Sequence, residues 1–577
     1  MAGTKLDIHG LVSPDSVAQA IATNWQTWHS NRQVWLDEKR ELRNYIFATD
    51  TKTTSNNKLP WANSTTTPKL TQIYDNLKAN YSAALFPNAN WLRWKAGNEE
   101  ASLKEKRDVI QAYMSTKLEQ SDFETTVDRL IDDFILYGNC FATVEWVEEE
   151  TELDTGQVLL DYVGPHLVRI SPFDIVFNPA APNFNKTPKI IRSLVSLGEA
   201  EELIRNGQSE YEQVFQRMSG NRREVASNTA FEKSDAYIAD GFSSIEHYYN
   251  SGYVEVLTFY GDIYDEDSRT LLAKRKIIVV DRAYVIYNKA SPSWLGHAPV
   301  FHSGWRSRPD NLYAMGPLDN LVGMQYRIDH LENLKADVFD QIAYPMLKIR
   351  GDVEEFDYKP GTQIHIGEEG DVVPLVPDTT ALNADMQINI LENKMEELAG
   401  APRQAMGIRT PGEKTAFEVQ SLQNAAGRIF QHKAEKFERE FLAPILNAML
   451  EASRRNMDVS DVIRITDDAT KVDIFMSITK DDILGSGRLV PVGASHFAER
   501  AQRLQNLQNV QMFKGDPTVA PHLSGKKIAE ILADELGEKA LYGENITVQE
   551  QLETQEAMQE AEAQNMENLE TQRGLGI

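Results

Sequence analysis

The sequence predicts an α+β fold, predominantly helical, on three observations. Apolar residues recur at helical spacing through residues 14–137 and again through residues 317–456. From Cys140 to Trp305 the period changes to the alternation expected of strands, broken by Gly and Pro. Runs helical first, then strand-rich, then helical again favour segregated helices and an antiparallel sheet over a βαβ arrangement.

The first helix is predicted to open at Ser13-Pro14-Asp15, where Ser caps, Pro suits the first turn and Asp favours the positive end. Val17, Ile21, Trp25, Trp28, Trp35, Leu42 and Ile46 continue it as one stripe, and its tryptophans read as core rather than as a cofactor platform. Residues 49–57 are polar and predict a loop. In the stretch NSTTTPKLTQIYDNLKANYSAALFP, Thr67 is placed to cap a helix starting at Pro68, with Leu70, Ile73, Leu77, Tyr81 and Leu85 on its buried face. Two more helices are expected over about 100–119 and 121–137. Strands follow in FATVEWVEEE and VLLDYVGPHLVRISPFDIVFNP, a helical interlude over about 197–218, then YVEVLTFYGDIY and KRKIIVVDRAYVIYN.

The centre of the chain is a helical hairpin. A helix over 317–343, about 40 Å long, carries Leu321, Met324, Ile328, Leu331, Val338 and Ile342 along one face, with Lys335 interrupting the row. Pro345 stops it, a strand-and-turn segment follows to residue 378, and a second helix is expected over 379–398. The stripes are too narrow to be closed within the hairpin, which suggests packing between copies in a ring. Residues 401–414 form a Gly/Pro-rich loop before a third helix, in which Thr415 and Glu418 have capping-box spacing. That helix runs toward Asn456, and Pro444 should kink it. DVIRI and VDIFMSI read as short strands, GSGRLVPVG as a connector and 499–512 as helix. Residues 547–572 carry seven glutamates and no Lys or Arg, a helix too thinly apolar to stand alone.

With 577 residues the chain can bury a sizeable core. Its net charge of −27 argues against a sequence-reading DNA binder and against an anionic membrane as partner. An acidic surface can instead line a conduit through which DNA slides without sticking. Cys140 is the single cysteine, so no intrachain disulfide or cysteine-rich zinc site can form. The N-terminus has no signal-peptide pattern, and no apolar run is long enough to span a membrane.

Catalytic and cofactor motifs are not found, so no enzyme activity, cofactor or metal is expected. A phosphate-binding glycine loop is missing, since SGKK at 524–527 lacks the upstream glycine. No H-E-x-x-H or G-x-S-x-G occurs. His297 and His302 lie five apart without a carboxylate at ligand spacing. Asp262, Asp265, Glu266 and Asp267 superficially resemble a calcium loop but read better as a hairpin turn. Asp467–Asp468 and Asp481–Asp482 read as solvated turns. Arg403, Gln404, Met406, Arg409 and Lys414 mark the loop before the third helix, either as a surface loop with scattered charge or as a mobile loop touching phosphates in a channel.

Taken together, NSTTTPKLTQIYDNLKANYSAALFP, LIDDFILYGNCFATVEW, ISPFDIVFNP, GPLDNLVGMQYRIDHLENLKADVFDQIAYP and GIRTPGEKTAFEVQSLQNAAGRIF resemble the portal (head-to-tail connector) proteins of tailed bacteriophages, of the short-tailed type. The resemblance covers about 25–450 and is one of ordered architecture; beyond about 493 only a helical C-terminal extension is shared. It implies a homo-oligomeric ring, dodecameric in the virion, at the unique portal vertex of the capsid, assembled in the host cytoplasm. Double-stranded DNA would be packaged and ejected non-specifically through its channel. The terminase large subunit and then the tail adaptor or head completion protein would dock on it, beside the major capsid and scaffolding proteins. Residues 1–315 would form the wing, with its sheet in 140–305, 316–343 and 379–400 the stem, and 344–378 the clip. Residues 401–414 would form the tunnel loop, 415–492 a long kinked helix with wing strands, and 493–577 an acidic helical crown or barrel. Clip contacts to partners would come from Lys348, Arg350, Glu354, Glu355 and Lys359. The rival reading is a minor capsid or scaffold-like assembly protein without a channel. A nuclease or ATPase with an unrecognised site is a third.

Overall fold

The computed structural model describes residues 14–47, 63, 65–87, 91–96, 101–152, 158–207, 253–265, 270–291, 295–356, 363–375, 378–399, 429–457, 461–466 and 473–493. They divide into two units: 1–459 with 479–494, and 460–478 with 495–577. Of the second unit, β14 (Asp461–Thr466) and β15 (Asp473–Ile478) are described, and they form an antiparallel hairpin. Those are the strands expected at DVIRI and VDIFMSI.

In the first unit, α1 (Pro14–Ser30) starts where its sequence signal places it. The helix is not continuous to Ile46, however; it breaks and resumes as α2 (Gln33–Phe47). The break turns Arg32 inward, where Nη1 donates to the carbonyls of Pro172 (2.7 Å) and Ile175 (2.8 Å) and Nη2 to that of Phe173 (2.5 Å). Two loop carbonyls and that of Ile175 thus share one buried guanidinium as donor. Then come α3 (Lys69–Leu85), β1 (Leu92–Ala96), α4 (Ala101–Gln120) and α5 (Phe123–Leu136). All five apolar residues expected on the inner face of α3 are buried. Its start is displaced: Pro68 sits at the N-cap with no side-chain bond from Thr67.

The strand region is antiparallel throughout, as the alternation predicts. A three-stranded sheet has the order β3-β2-β9, from β2 (Asn139–Glu152), β3 (Val158–Ile170) and β9 (Val300–Gly304). A five-stranded sheet runs β4 (Ile175–Phe177), β5 (Lys189–Ser196), β6 (Tyr253–Asp265), β7 (Thr270–Val280), β8 (Tyr284–Ala290). One face of the larger sheet (Leu257, Phe259, Ile277, Val279) packs on Val17, Ile21 and Trp25 of α1. The opposite face (Val254, Val256, Val280) packs on Ala200 and Ile204 of α6 (Leu197–Gly207). A one-residue offset along each strand separates the two sets, as period-2 side-chain direction requires. Asp262 and Asp265 lie in β6, where Asp265 pairs with Thr270 of β7, whereas Glu266 and Asp267 lie outside the described residues.

Beyond a short pair, β10 (Arg306–Arg308) with β11 (Asn311–Met315), lies α7 (Val322–Ala343). It begins five residues later than expected. Leu318 and Leu321 are buried in a turn instead, where Asp319 accepts from the Gly316 N–H (2.8 Å) and pairs with buried Lys39. Next come β12 (Met346–Arg350), β13 (Asp371–Leu375), a 3₁₀ turn (Thr379–Ala384) and α8 (Asp385–Ala399). The helical residues 429–437 run through a π-turn (Glu438–Leu442) into α9 (Ala443–Asn456). The π-turn is the local answer to Pro444. The Ala443 N–H bonds back to the Glu438 carbonyl, widening the ladder where the ring would strike the preceding turn.

The segment GSGRLVPVG, expected as a connector, holds a strand instead: β16 (Gly487–Pro491) pairs with β1 across nearly the whole chain. Gly487 lies against the Trp94 ring, where an added Cβ would come within 2.3 Å of it. Before it, α10 (Lys480–Ile483) is capped reciprocally by Thr479 and Asp482.

Candidate functional site: a helical hairpin and its tip

The hairpin α7–β12–β13–α8 leaves the body at a junction built from small residues. Gly138 has φ +69°, and a Cβ there would meet the Gly316 nitrogen at 2.3 Å. Neither α5 nor the approach to α7 could come so close with a side chain between them. Beside it, fully buried Asn139 is saturated. Its Nδ2 donates to the Tyr137 and Ala314 carbonyls (3.0 Å each), and its Oδ1 accepts from Ala314 N–H (2.9 Å) and faces His302 Nε2 (3.0 Å). Burial, with Lys436 and Lys189 nearby, pushes the His302 imidazole down to about 3, so it is neutral and donates from Nε2. His297 instead faces the Ala298 carbonyl through Nδ1.

From Gln325 to Asp337, α7 is held by a feature the apolar stripe does not reveal. Asp337, Asn333, Asp329 and Gln325, spaced four apart, form a row of polar side chains. Asp337 accepts from the Asn63 N–H (2.6 Å), Asn333 from Thr65 (2.7 Å), Asp329 from Thr67 (2.9 Å) and Gln325 from Leu70 (3.2 Å). Asn333 and Gln325 also donate back, to the Thr65 and Thr67 carbonyls (2.9 and 2.6 Å). The match is metric: four residues of helix rise about 6 Å, and two residues of extended chain cover about 6.6 Å. An extended strap is therefore pinned along the helix, running antiparallel to it. Lys69, between Thr67 and Leu70, pairs with Glu396 of α8 (2.6 Å), both nearly fully buried. The strap thus ties both arms of the hairpin to α3. Asp329 Oδ2 is buried with no hydrogen-bond partner, and burial pushes this carboxyl up to about 6 despite its bonds from Thr67 and Gln325.

Against this frame the expected packing residues divide. Leu321, Ile328, Leu331 and Val338 are buried within the chain itself. Met324 and Lys335 are half-buried, and Ile342 is exposed. Lys335 bridges the two arms, donating to Asp385 (2.5 Å) with Glu332 at 3.5 Å. Toward the tip, Phe339 and Ile342 on α7 and Met386 and Ile390 on α8 are exposed, and so are Tyr326, Leu334 and Leu398 nearer the body.

At the tip, β12 and β13 form an isolated two-stranded sheet, extended by a Val353–Ile366 bridge. One face carries Met346, Lys348 and Arg350 opposite Leu375, Val373 and Asp371. Lys348, Arg350, Glu354 and Glu355 are exposed, whereas Lys359 lies outside the described residues. Tyr344, Met346, Ile349, Ile366, Val373 and Leu375 are exposed too. A lone hairpin of this size is marginal in water, and contiguous apolar exposure marks a contact surface. Arg403, Gln404, Met406, Arg409 and Lys414 also fall outside the described residues.

Sequence reasoning missed the polar row and the Lys69–Glu396 pair. The signal was present as an amide or carboxylate at every fourth position from 325 to 337, which an apolar-periodicity reading passes over. Among the described residues no cluster of His, Cys, Asp or Glu could hold a metal ion, and no helix is long and apolar enough to cross a membrane.

No curated protein matches the sequence. Residues 18–158 match the family model of the bacteriophage head to tail connecting protein. The match spans α1 through β2 and includes the strap and two of the stretches that carry the sequence resemblance. Over residues 18–158 the chain is therefore similar to the bacteriophage head to tail connecting proteins.

Proposed function

We propose that the chain is the subunit of a ring, twelve copies in the virion, at the one capsid vertex through which double-stranded DNA enters and leaves. The observation that carries this reading is the exposed apolar surface of the hairpin arms: Phe339, Ile342, Met386 and Ile390 are bare toward the tip, although the strap already covers the polar row of α7. Neighbouring copies would cover those side chains. In this reading 1–315 is the wing, 316–343 and 379–400 the stem, 344–378 the clip, 401–414 the tunnel loop and 493–577 the crown. The clip would meet the packaging motor (the terminase large subunit) and later the tail adaptor, and the wing would face the capsid and scaffolding proteins. The net charge of −27 per chain supports a conduit that repels DNA and so keeps friction low, with Arg403, Arg409 and Lys414 steadying the duplex. Assembly takes place in the host cytoplasm.

The test is native mass measurement and negative-stain imaging of the purified protein. Rings with a central hole are expected. Phe339→Glu with Ile390→Glu should abolish them while leaving the melting of the subunit unchanged. Particles without a hole would favour a scaffold-like role, and a stable monomer at assembly concentration would overturn the ring.

A further inference from the structure

On a chain of net charge −27, one row of side chains has the opposite sign. Register across the five-stranded sheet places Lys189, Tyr260, Lys276 and Lys289 side by side on β5, β6, β7 and β8. Directly paired antiparallel residues share a face, so the four project together. Tyr287, two residues before Lys289, joins them: Lys276 lies 5.8 Å from the Tyr260 ring centre and 5.9 Å from that of Tyr287, and Lys289 lies 5.8 Å from Tyr287.

The members of the row differ in use. Lys189 is internal, donating to the Phe184 and Thr187 carbonyls (2.7 and 2.9 Å) against the Phe184 ring. Lys276 and Lys289 have no hydrogen bond and no ion pair among the described residues. They also stand directly opposite each other, an arrangement that costs stability unless something negative sits over it. Lys276 is half-buried, and burial holds its ammonium below the usual range, with Glu145 as the one opposing charge. Beside them β8 ends the sheet, its outer edge unpaired among the described residues.

We infer that the Lys276–Lys289 face and the β8 edge receive an extended acidic segment of a partner polypeptide, added as a sixth strand. The open edge supplies backbone groups at strand spacing, which a peptide can pair and a nucleic-acid duplex cannot. The lysine ammonium groups donate to carboxylates on alternate residues of that strand, and the tyrosine rings flank them. Duplex DNA would need a broader basic footprint.

The probe is a fluorescein-labelled peptide of alternating glutamate and threonine, titrated with full-length protein and followed by anisotropy at two salt concentrations. Salt-sensitive binding is expected, weakened about tenfold or more in Lys276→Gln/Lys289→Gln. Lys289→Gln alone, at an exposed site, should weaken it in part without disturbing the fold. A glutamate–proline version, which cannot pair with the edge, should fail to bind. Peptide affinity indifferent to both variants overturns the site, and equal binding of the proline peptide overturns strand addition. If the variants lose binding to a short duplex DNA instead of the peptide, the face belongs to nucleic acid and the inference is wrong.

Discussion

Asp329→Asn tests the strap most directly. In the native structure Asp329 Oδ1 accepts from the Thr67 N–H (2.9 Å) and from Gln325 Nε2 (2.8 Å), while Oδ2 is buried without a partner. Burial raises the carboxyl from its ordinary 3.8 to about 6. Because the folded value lies above the unfolded one, the folded state binds the proton more tightly. The stability this group contributes is fully present below about pH 4 and is lost as pH rises through about 6. That interval corresponds to at most ~3 kcal/mol, which relaxation and water penetration reduce to about 1–2 kcal/mol. Asparagine keeps the acceptor for both donors and removes the charge. Asp329→Asn should therefore match the wild type near pH 4 and exceed it by about 1–2 kcal/mol at pH 7.5. Asp329→Ala, which strands the Thr67 N–H, should lose about 1–3 kcal/mol at both. Denaturant titrations across pH 4–8 supply the comparison. An Asp329→Asn variant less stable than wild type at pH 7.5 would refute the argument, because the carboxylate would then be worth more charged than neutral.

Lys69→Ala leaves Glu396 charged and buried and should cost about 3–5 kcal/mol, whereas Lys69→Met/Glu396→Met should come close to wild type; denaturant midpoints separate the two. Arg32→Met removes the donors for three carbonyls and should cost about 3 kcal/mol or more in the same measurement. Gly351→Ala places a Cβ 2.2 Å from the Glu369 carbonyl oxygen at φ +78°. Limited proteolysis should then cut the tip faster than wild type while the melting temperature of the body stays unchanged.

The fold class was legible because both periods are strong. The inner face of α3, the helices near 101–136 and the antiparallel strands all follow from apolar spacing. What escaped was decided by single residues acting over long sequence distances. The break at Arg32 exists because loop carbonyls more than a hundred residues away need donors. The β1–β16 pair joins two segments that look unstructured alone, one full of Trp and charge, the other of Gly and Pro. Of the hairpin, the sequence showed two helices around a strand-rich tip. It did not separate the residues buried within the chain from those left bare, since Leu331 and Ile342 look alike in a stripe. That division came from polar residues, whose partners only the folded chain brings near.

The repeat in the Gln325-to-Asp337 row limits how α7 can move. Its rungs recur every four residues and the strap's amides every two or three, so a small axial slide would leave every rung between partners at once. Displacement of the helix past the strap is consequently discontinuous, in jumps of about 6 Å, the rise of one rung. A subunit built this way has seats for its long helix rather than a continuum of positions, and force along the hairpin must unseat several bonds together before anything shifts.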